Sequence, residues 1–252
     1  MTTTSGDDQL SRGLRLLSVL ADHPGGLGVS AAARLTGLPV SSAHRILGRL
    51  VAERFASYDE RARRYAPGVR VLELSRGFHR SPAGYSEAAA PMRTLAAATG
   101  LPAIAGILHD GDVLLVLAVQ GTQHLQLRSA EGTRNAWHAT SLGKALVCGQ
   151  PVATVDALLE KELPAVTDRT VTDPGAVREE LARVRARGWA EVDEEGEVGV
   201  RSIAMAVPAR SGAPRLAISL GAVTALTSAD ELHGQLPRLR ECVEEIAAHM
   251  GW

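Results

Sequence analysis

With 252 residues, 45% of them hydrophobic, the chain can bury one large core or two modest ones, and no stretch is long and apolar enough to span a bilayer. Its first residues, MTTTSGDDQL, lack the basic and apolar parts of a signal peptide, so a cytoplasmic protein with no membrane partner is expected. The net charge of −1 hides an asymmetry: residues 1–80 hold 12 Arg against 7 Asp and Glu, and the remainder holds 15 Lys and Arg against 21 acidic residues.

Residues 1–9 are short, polar and unpatterned, and read as a disordered tail. Between Ser11 and Asp22, Leu14, Leu17 and Ala21 line one side of a helix, extended by Leu10 and Leu16. The stretch from Ser30 to Phe55 then reads as two short helices joined by a tight turn. Ser30 suits the N-cap of the first, Gly37 can take the left-handed conformation that ends it, and Pro39 fixes the backbone where the second starts. In the second helix Ala43, Ile46, Leu47, Leu50 and Val51 form one apolar stripe, leaving Ser41, Ser42, His44, Arg45, Arg49 and Arg54 largely off it. On spacing alone a plain helical hairpin fits equally well. The residues after Phe55 shift the balance toward DNA: FASYDERARRYAPG reads as two short strands, Phe55 to Tyr58 and Arg64 to Ala66, around a tip with Arg61, Arg63 and Arg64. A basic hairpin directly after such a helix is a wing, so residues 10–68 are expected to form a winged helix-turn-helix.

Residues 69–82 carry Val71, Leu72, Leu74 and Phe78 in a mixed apolar helix, read as a linker whose apolar side needs a partner. The rest, 83–252, interleaves strands and helices in an α+β domain. A helix from Tyr85 to Thr99, bent at Pro91, stops at Gly100. AIAGILH and VLLVLAVQ form a hairpin around Asp110 to Asp112, and LQLRS is a third strand. HATSLGKALVCG supplies a capped helix and Val152 to Glu160 another. Asp173, Pro174 and Gly188 mark cap, first turn and stop of a longer one. WAEVD, SIAMAVPA and RLAISLGA are strands, and a last helix opens with Ser228 and Glu231 as a capping box and kinks at Pro237.

In HATSLGKAL, Thr140 and Ser141 read as capping residues and Gly143 as a point of close backbone approach. The helix behind them presents free N–H groups to which a carboxylate could bind, although an ordinary capped helix fits the same residues. Catalysis is disfavoured: Ser141 and His138 form no nucleophile elbow, GxSxG is absent, and no acid is placed to orient the histidine. His109, His124, His138 and Cys148 lack metal-ligand spacing, and Cys148 and Cys242 read as buried thiols, so no cofactor or metal is expected.

Three stretches in this order, LSRGLRLLSVLADHPGGLGVSAAARLTGLPVSSAHRILGRLV, HATSLGKAL, and RGWAEVDEEGEVGVRSIAMAVP followed by RLAISLGA, resemble the IclR-type bacterial transcription regulators over nearly the whole chain. The resemblance implies a winged helix-turn-helix, a linker helix and a C-terminal GAF-like domain that binds a small effector. It implies a homo-oligomer, dimer or tetramer, on pseudo-palindromic double-stranded operator DNA, with repression the first reading. Base edges would be read by Ser41, Ser42 and Arg45, phosphates held by His44, Arg49, Arg61, Arg63 and Arg64, and a thymine methyl touched by Val40. In the same family the loop Thr140, Ser141, Leu142, Gly143 is one wall of the effector pocket. The pocket's other polar positions read here as Ser202 and Ser219, with Gly221 and Val192 where a hydroxyl and an acid are usual. An organic acid less polar than a short keto acid is therefore expected; a ligand-free oligomerisation domain is the alternative, and a hydrolase the remote one.

Overall fold

The computed structural model describes residues 8–79, 85–122, 130–209 and 212–251. The chain divides between residues 84 and 85 into two compact units.

The N-terminal unit contains α1 (Gln9–Ala21), α2 (Val29–Thr36), α3 (Val40–Ala52), the hairpin β1 (Ala56–Asp59) and β2 (Arg64–Pro67), and α4 (Val69–His79). Helix α1 begins inside the expected tail, because the Asp8 carboxylate accepts the Ser11 N–H at 2.7 Å and caps it. Helix α2 starts earlier than Ser30: Gly28 is the N-cap, without a side-chain hydrogen bond. Its neighbour Leu27 exchanges two backbone hydrogen bonds with Tyr65 of β2, at 2.8 and 2.7 Å, and this bridge fixes where the chain turns into the helix. Gly37 ends α2 at φ 68°, as expected, and Pro39 immediately precedes α3. Ala43, Ile46 and Leu47 of α3 are buried on Leu16, Leu20, Ala32, Ala33 and Tyr65, so the apolar stripe faces the core of the three-helix unit. At the hairpin tip, Asp59 Oδ1 accepts from the backbone N–H groups of Arg61 and Ala62, and Arg63 takes φ 53°.

In the C-terminal unit a 3-10 turn (Ser86–Ala88) leads into α5 (Ala89–Thr99), so Pro91 falls in the first turn of α5 and the expected bend is a change from 3-10 to α geometry. Strands β3 (Ala103–His109), β4 (Asp112–Val119) and β5 (Arg134–Ala136) precede the helices α6 (Ser141–Val147), α7 (Val152–Leu159) and α8 (Pro174–Arg187). Strands β6 (Ala190–Asp193), β7 (Val200–Ala206) and β8 (Ala217–Val223) follow, then α9 (Ala229–His233) and α10 (Leu236–Met250). The six strands form one antiparallel sheet in the order β5-β4-β3-β8-β7-β6. Asp110 and Gly111, both at positive φ, make the two-residue turn of the β3–β4 hairpin. The expected strand LQLRS lies outside the described residues; β5 pairs with β4 further along the chain. The last helix is two: α9, opened by the Ser228–Glu231 capping box, ends at Gly234, and Pro237 stands at the second position of α10, where it starts a helix rather than kinking one.

Strand alternation gives the sheet two different faces. Along β8, Ile218, Leu220 and Ala222 join a core with Met92 and Leu95 of α5 and Leu239 and Ile246 of α10. Ala217, Ser219 and Gly221 point the other way, where small residues let α6 lie against the sheet. Leu146, Val177 and Leu181 complete the core there. All seven residues of α6 are buried. Its start is tight: a Cβ on Gly143 would stand 2.0 Å from the Trp137 carbonyl oxygen. Alanine is the better helix former by about 1 kcal/mol, yet Gly143→Ala is expected to destabilise the protein by about 1–3 kcal/mol through this overlap. Urea unfolding checks the sign, and unchanged or raised stability would contradict the close approach.

Candidate DNA-reading face and effector site

On α3, residues opposite the buried stripe face solvent. Val40, Ser41, His44, Arg45 and Arg49 are exposed and Ser42 is half-buried. Arg45 Nη1 donates to Gln9 Oε1 of α1 at 3.3 Å, so the guanidinium lies across the end of α1. Of the wing arginines, Arg61 and Arg63 stand exposed at the tip. Arg64 is also exposed, and its Nη1 donates to the carbonyls of Gly25 and Gly26, at 3.3 and 2.9 Å, tying the wing to the α1–α2 loop.

In the C-terminal unit the candidate effector residues come together. Directly paired residues on neighbouring strands share a face. Val192 pairs with Ser202, Ser202 with Gly221, and Ser219 with both Ala204 and Ile104, so Val192, Ser202, Ser219 and Gly221 all lie on the α6 side of the sheet. Ser141 Oγ and Ser202 Oγ are hydrogen-bonded at 2.7 Å, joining the first residue of α6 to β7. Ser219, 3% exposed, directs its hydroxyl toward the Ile104 carbonyl at 3.5 Å.

Two expectations for this loop are corrected. Only Thr140 caps α6, accepting the Gly143 N–H at 3.1 Å, whereas Ser141 is already helical. The close approach that Gly143 permits is to the chain's own Trp137, so Thr140 and Gly143 are occupied within the fold, and Ser141 is the residue of this loop whose hydroxyl meets β7.

Sequence reasoning missed the pair beside it. Lys144 Nζ and Glu195 Oε1 lie 2.5 Å apart with the two side chains 3% and 12% exposed. Glu195 Oε2 is buried with no hydrogen-bond partner among the described residues. The signal was that Lys144 is one of two lysines in a chain that otherwise uses arginine. Beside the pair, His138 is buried with Nε2 3.1 Å from the Pro164 carbonyl, which can only accept, so Nε2 carries the hydrogen. Burial holds the His138 pKa below its ordinary value, and the Lys144 charge pushes the same way. Burial likewise pushes the half-buried Cys148 thiol up and that of buried Cys242 up to about 12, which disfavours the thiolate of both free cysteines. Among the described residues no three His, Cys, Asp or Glu side chains are grouped to hold a metal, and no helix is long and apolar enough to cross a membrane.

Residues 9–60 match the IclR helix-turn-helix domain, and residues 85–248 match the bacterial transcriptional regulator IclR C-terminal domain. The chain belongs to the IclR family of bacterial transcriptional regulators. It is 34% identical over 251 residues to the HTH-type transcriptional regulator BhcR of Paracoccus denitrificans, covering 98% of this chain and 88% of that protein. The fold matches an IclR transcriptional regulator of Alicyclobacillus acidocaldarius with a TM-score of 0.88 at 22% identity, over 96% of this chain and 98% of that one. It also matches an IclR homolog of Microbacterium hydrocarbonoxydans, solved in complex with 4-hydroxybenzoate, with a TM-score of 0.82 at 21% identity, over 97% and 99%. As an IclR-family member the protein is a DNA-binding transcriptional regulator, not an enzyme, with the family's effector-binding domain at its C-terminus.

His138 gives this domain a pH dependence. Its folded-state pKa lies below the ordinary 6.5, so below pH 6.5 the unfolded chain takes up a proton that the folded one does not. The stability conferred by neutral His138 is thus full above pH 6.5 and declines as pH falls toward the folded value. Urea midpoints measured from pH 7.5 downward should fall through this window, and His138→Gln should flatten the decline; an equal slope in both proteins would contradict the assignment.

Proposed function

We propose that the protein is an effector-responsive repressor that binds operator DNA as a homo-oligomer. Ser41, Ser42 and Arg45 meet base edges, Val40 meets a thymine methyl, and His44, Arg49, Arg61 and Arg63 hold phosphates. Arg64 contributes mainly by placing the wing. The observation that carries this reading is the polar, arginine-bearing face of α3, exposed opposite the buried Ala43, Ile46 and Leu47. One such helix covers only a few base pairs, so two copies on pseudo-palindromic half-sites are needed for specificity. A surface for pairing is available: an apolar groove of about 480 Å³ between α1 and α3, lined by Leu10, Leu14, Leu17, Ile46, Leu50 and Phe55. Leu10 is 70% exposed, and Leu72 and Phe78 of α4 are also exposed. Repression is proposed because occupancy of DNA is enough to block transcription, whereas activation needs a further contact. Such a protein works in the cytoplasm.

The effector is proposed to be an organic acid that meets Ser141 and Ser202 in place of their mutual hydrogen bond, on a wall that also includes Leu142, Ser219, Val192 and Gly221. With Val192 and Gly221 apolar, and Thr140 and Gly143 occupied within the fold, few polar contacts remain. This supports an aromatic or medium-chain aliphatic acid over a two- or three-carbon keto acid. The mutual satisfaction of the two serines also favours a second reading, in which the domain binds no ligand and only oligomerises.

Arg45→Ala should weaken binding to the operator by about 1–3 kcal/mol and relax one base position. Mobility shifts on operator and random DNA measure this, and equal losses on both would show that Arg45 touches only phosphate. Calorimetry with benzoate, 4-hydroxybenzoate (the ligand of the Microbacterium homolog), phenylacetate and hexanoate, against glyoxylate and pyruvate, should show binding confined to the larger acids. Binding of only the small acids would contradict the proposed effector class, and no binding together with an unchanged melting temperature would favour the ligand-free domain.

A further inference from the structure

We infer that the buried Lys144–Glu195 pair sets the charge selectivity of the effector site, Lys144 cancelling a carboxylate that would otherwise repel an anionic ligand. This rests on the reading of the Ser141–Ser202 wall as the place where the effector binds. The pair joins two segments that both belong to that wall. Lys144 stands one turn after Ser141 on α6, and Glu195 lies in the β6–β7 loop that leads into the strand carrying Ser202.

The loop is held firmly. Thr170 Oγ1 donates to the Glu195 carbonyl at 2.7 Å, and Thr167 Oγ1 to the Glu194 carbonyl at 2.6 Å. Gly196 packs onto the backbone just before α6: a Cβ there would stand 2.8 Å from the Ala139 carbonyl oxygen. These contacts fix the backbone from which the Glu195 side chain, 12% exposed, reaches Lys144.

Its charge is only half satisfied. Oε1 accepts from Lys144, while Oε2 is buried without a partner among the described residues. An ionised carboxylate so enclosed acts over several ångströms, because little water intervenes to screen it. With Lys144 in place the pair is neutral to a ligand at the neighbouring serines; without it the wall would carry a net negative charge. A pair kept only for stability would be replaceable by apolar residues at little cost. A pair that tunes ligand charge leaves a different signature, because removing either partner alone shifts anion binding in opposite directions.

Three variants of the full-length protein read this out: Glu195→Gln, which keeps an oxygen for Lys144 but removes the charge; Lys144→Met; and the double variant. Calorimetry with benzoate, or with hexanoate where wild type binds that acid more tightly, is paired with melting temperatures. Glu195→Gln should tighten binding of the acid by about tenfold, Lys144→Met should weaken it by about tenfold or more, and the double variant should return close to wild type. The double variant and Glu195→Gln stay informative even where Lys144→Met alone, left with an unpaired buried carboxylate, does not fold. Weaker binding in both of these variants, or binding that follows melting temperature instead of charge, would overturn the inference while leaving the effector site standing. A wild-type protein that binds none of the acids would overturn the site itself, and the inference with it.

Discussion

A helix buried along its whole length cannot leave a polar group to solvent, and the C-terminal unit is arranged around supplying partners to α6. Thr140 takes the Gly143 N–H, Ser202 meets Ser141, and Glu195 meets Lys144. The backbone of Gly143 is pressed onto Trp137, which only a residue without a Cβ allows. On β7 and β8 the face beneath α6 presents Ser202, Ala204, Ala217, Ser219 and Gly221, small residues that let the helix lie close, and the opposite face carries the bulky Ile218 and Leu220 against α5 and α10. The same arrangement suits a ligand site: the polar atoms gathered to satisfy a buried helix are fixed in place, and a ligand that replaces one of their hydrogen bonds meets preorganised groups.

The N-terminal unit solves a different problem with few residues. A three-helix unit must commit one face of each helix to the core, and the helical spacing of apolar residues in α3 leaves the remaining, polar face exposed. The wing is not an independent appendage. Tyr65 bridges to Leu27 and Arg64 reaches Gly25 and Gly26, so the hairpin is fastened to the helices and its arginine-bearing tip has a defined position.

What was legible in the sequence was local. The hairpin at Asp110 and Gly111, the Gly37 stop, the Asp173 cap with Pro174 and the Ser228–Glu231 capping box all depend on residues within a turn of one another, and all are present. One error arose where a distant contact overrode a local preference. Ser30 is a good cap, but the bridge from Leu27 to Tyr65 starts α2 before it. Pro237 suggested a kink, although Gly234 three residues before it was a local stop signal, and α9 ends there. At the candidate sites, residue spacing marked the polar face of α3, and the family resemblance pointed to the Ser141, Ser202 and Ser219 positions. They could not show that Arg64 is engaged, nor that Lys144 finds Glu195 51 residues later, because such partners are set by how strands and loops stack.

Effector and DNA are coupled only if the acid binds the DNA-competent and incompetent states with different affinities. The most direct measurement is operator affinity by mobility shift with and without the tightest-binding acid, in wild type and in a Ser141→Ala/Ser202→Ala variant. The acid is expected to change wild-type operator affinity by about fivefold or more and to leave the variant's unchanged. An acid that binds by calorimetry yet alters operator affinity in neither protein would contradict an effector-responsive regulator built on these two serines.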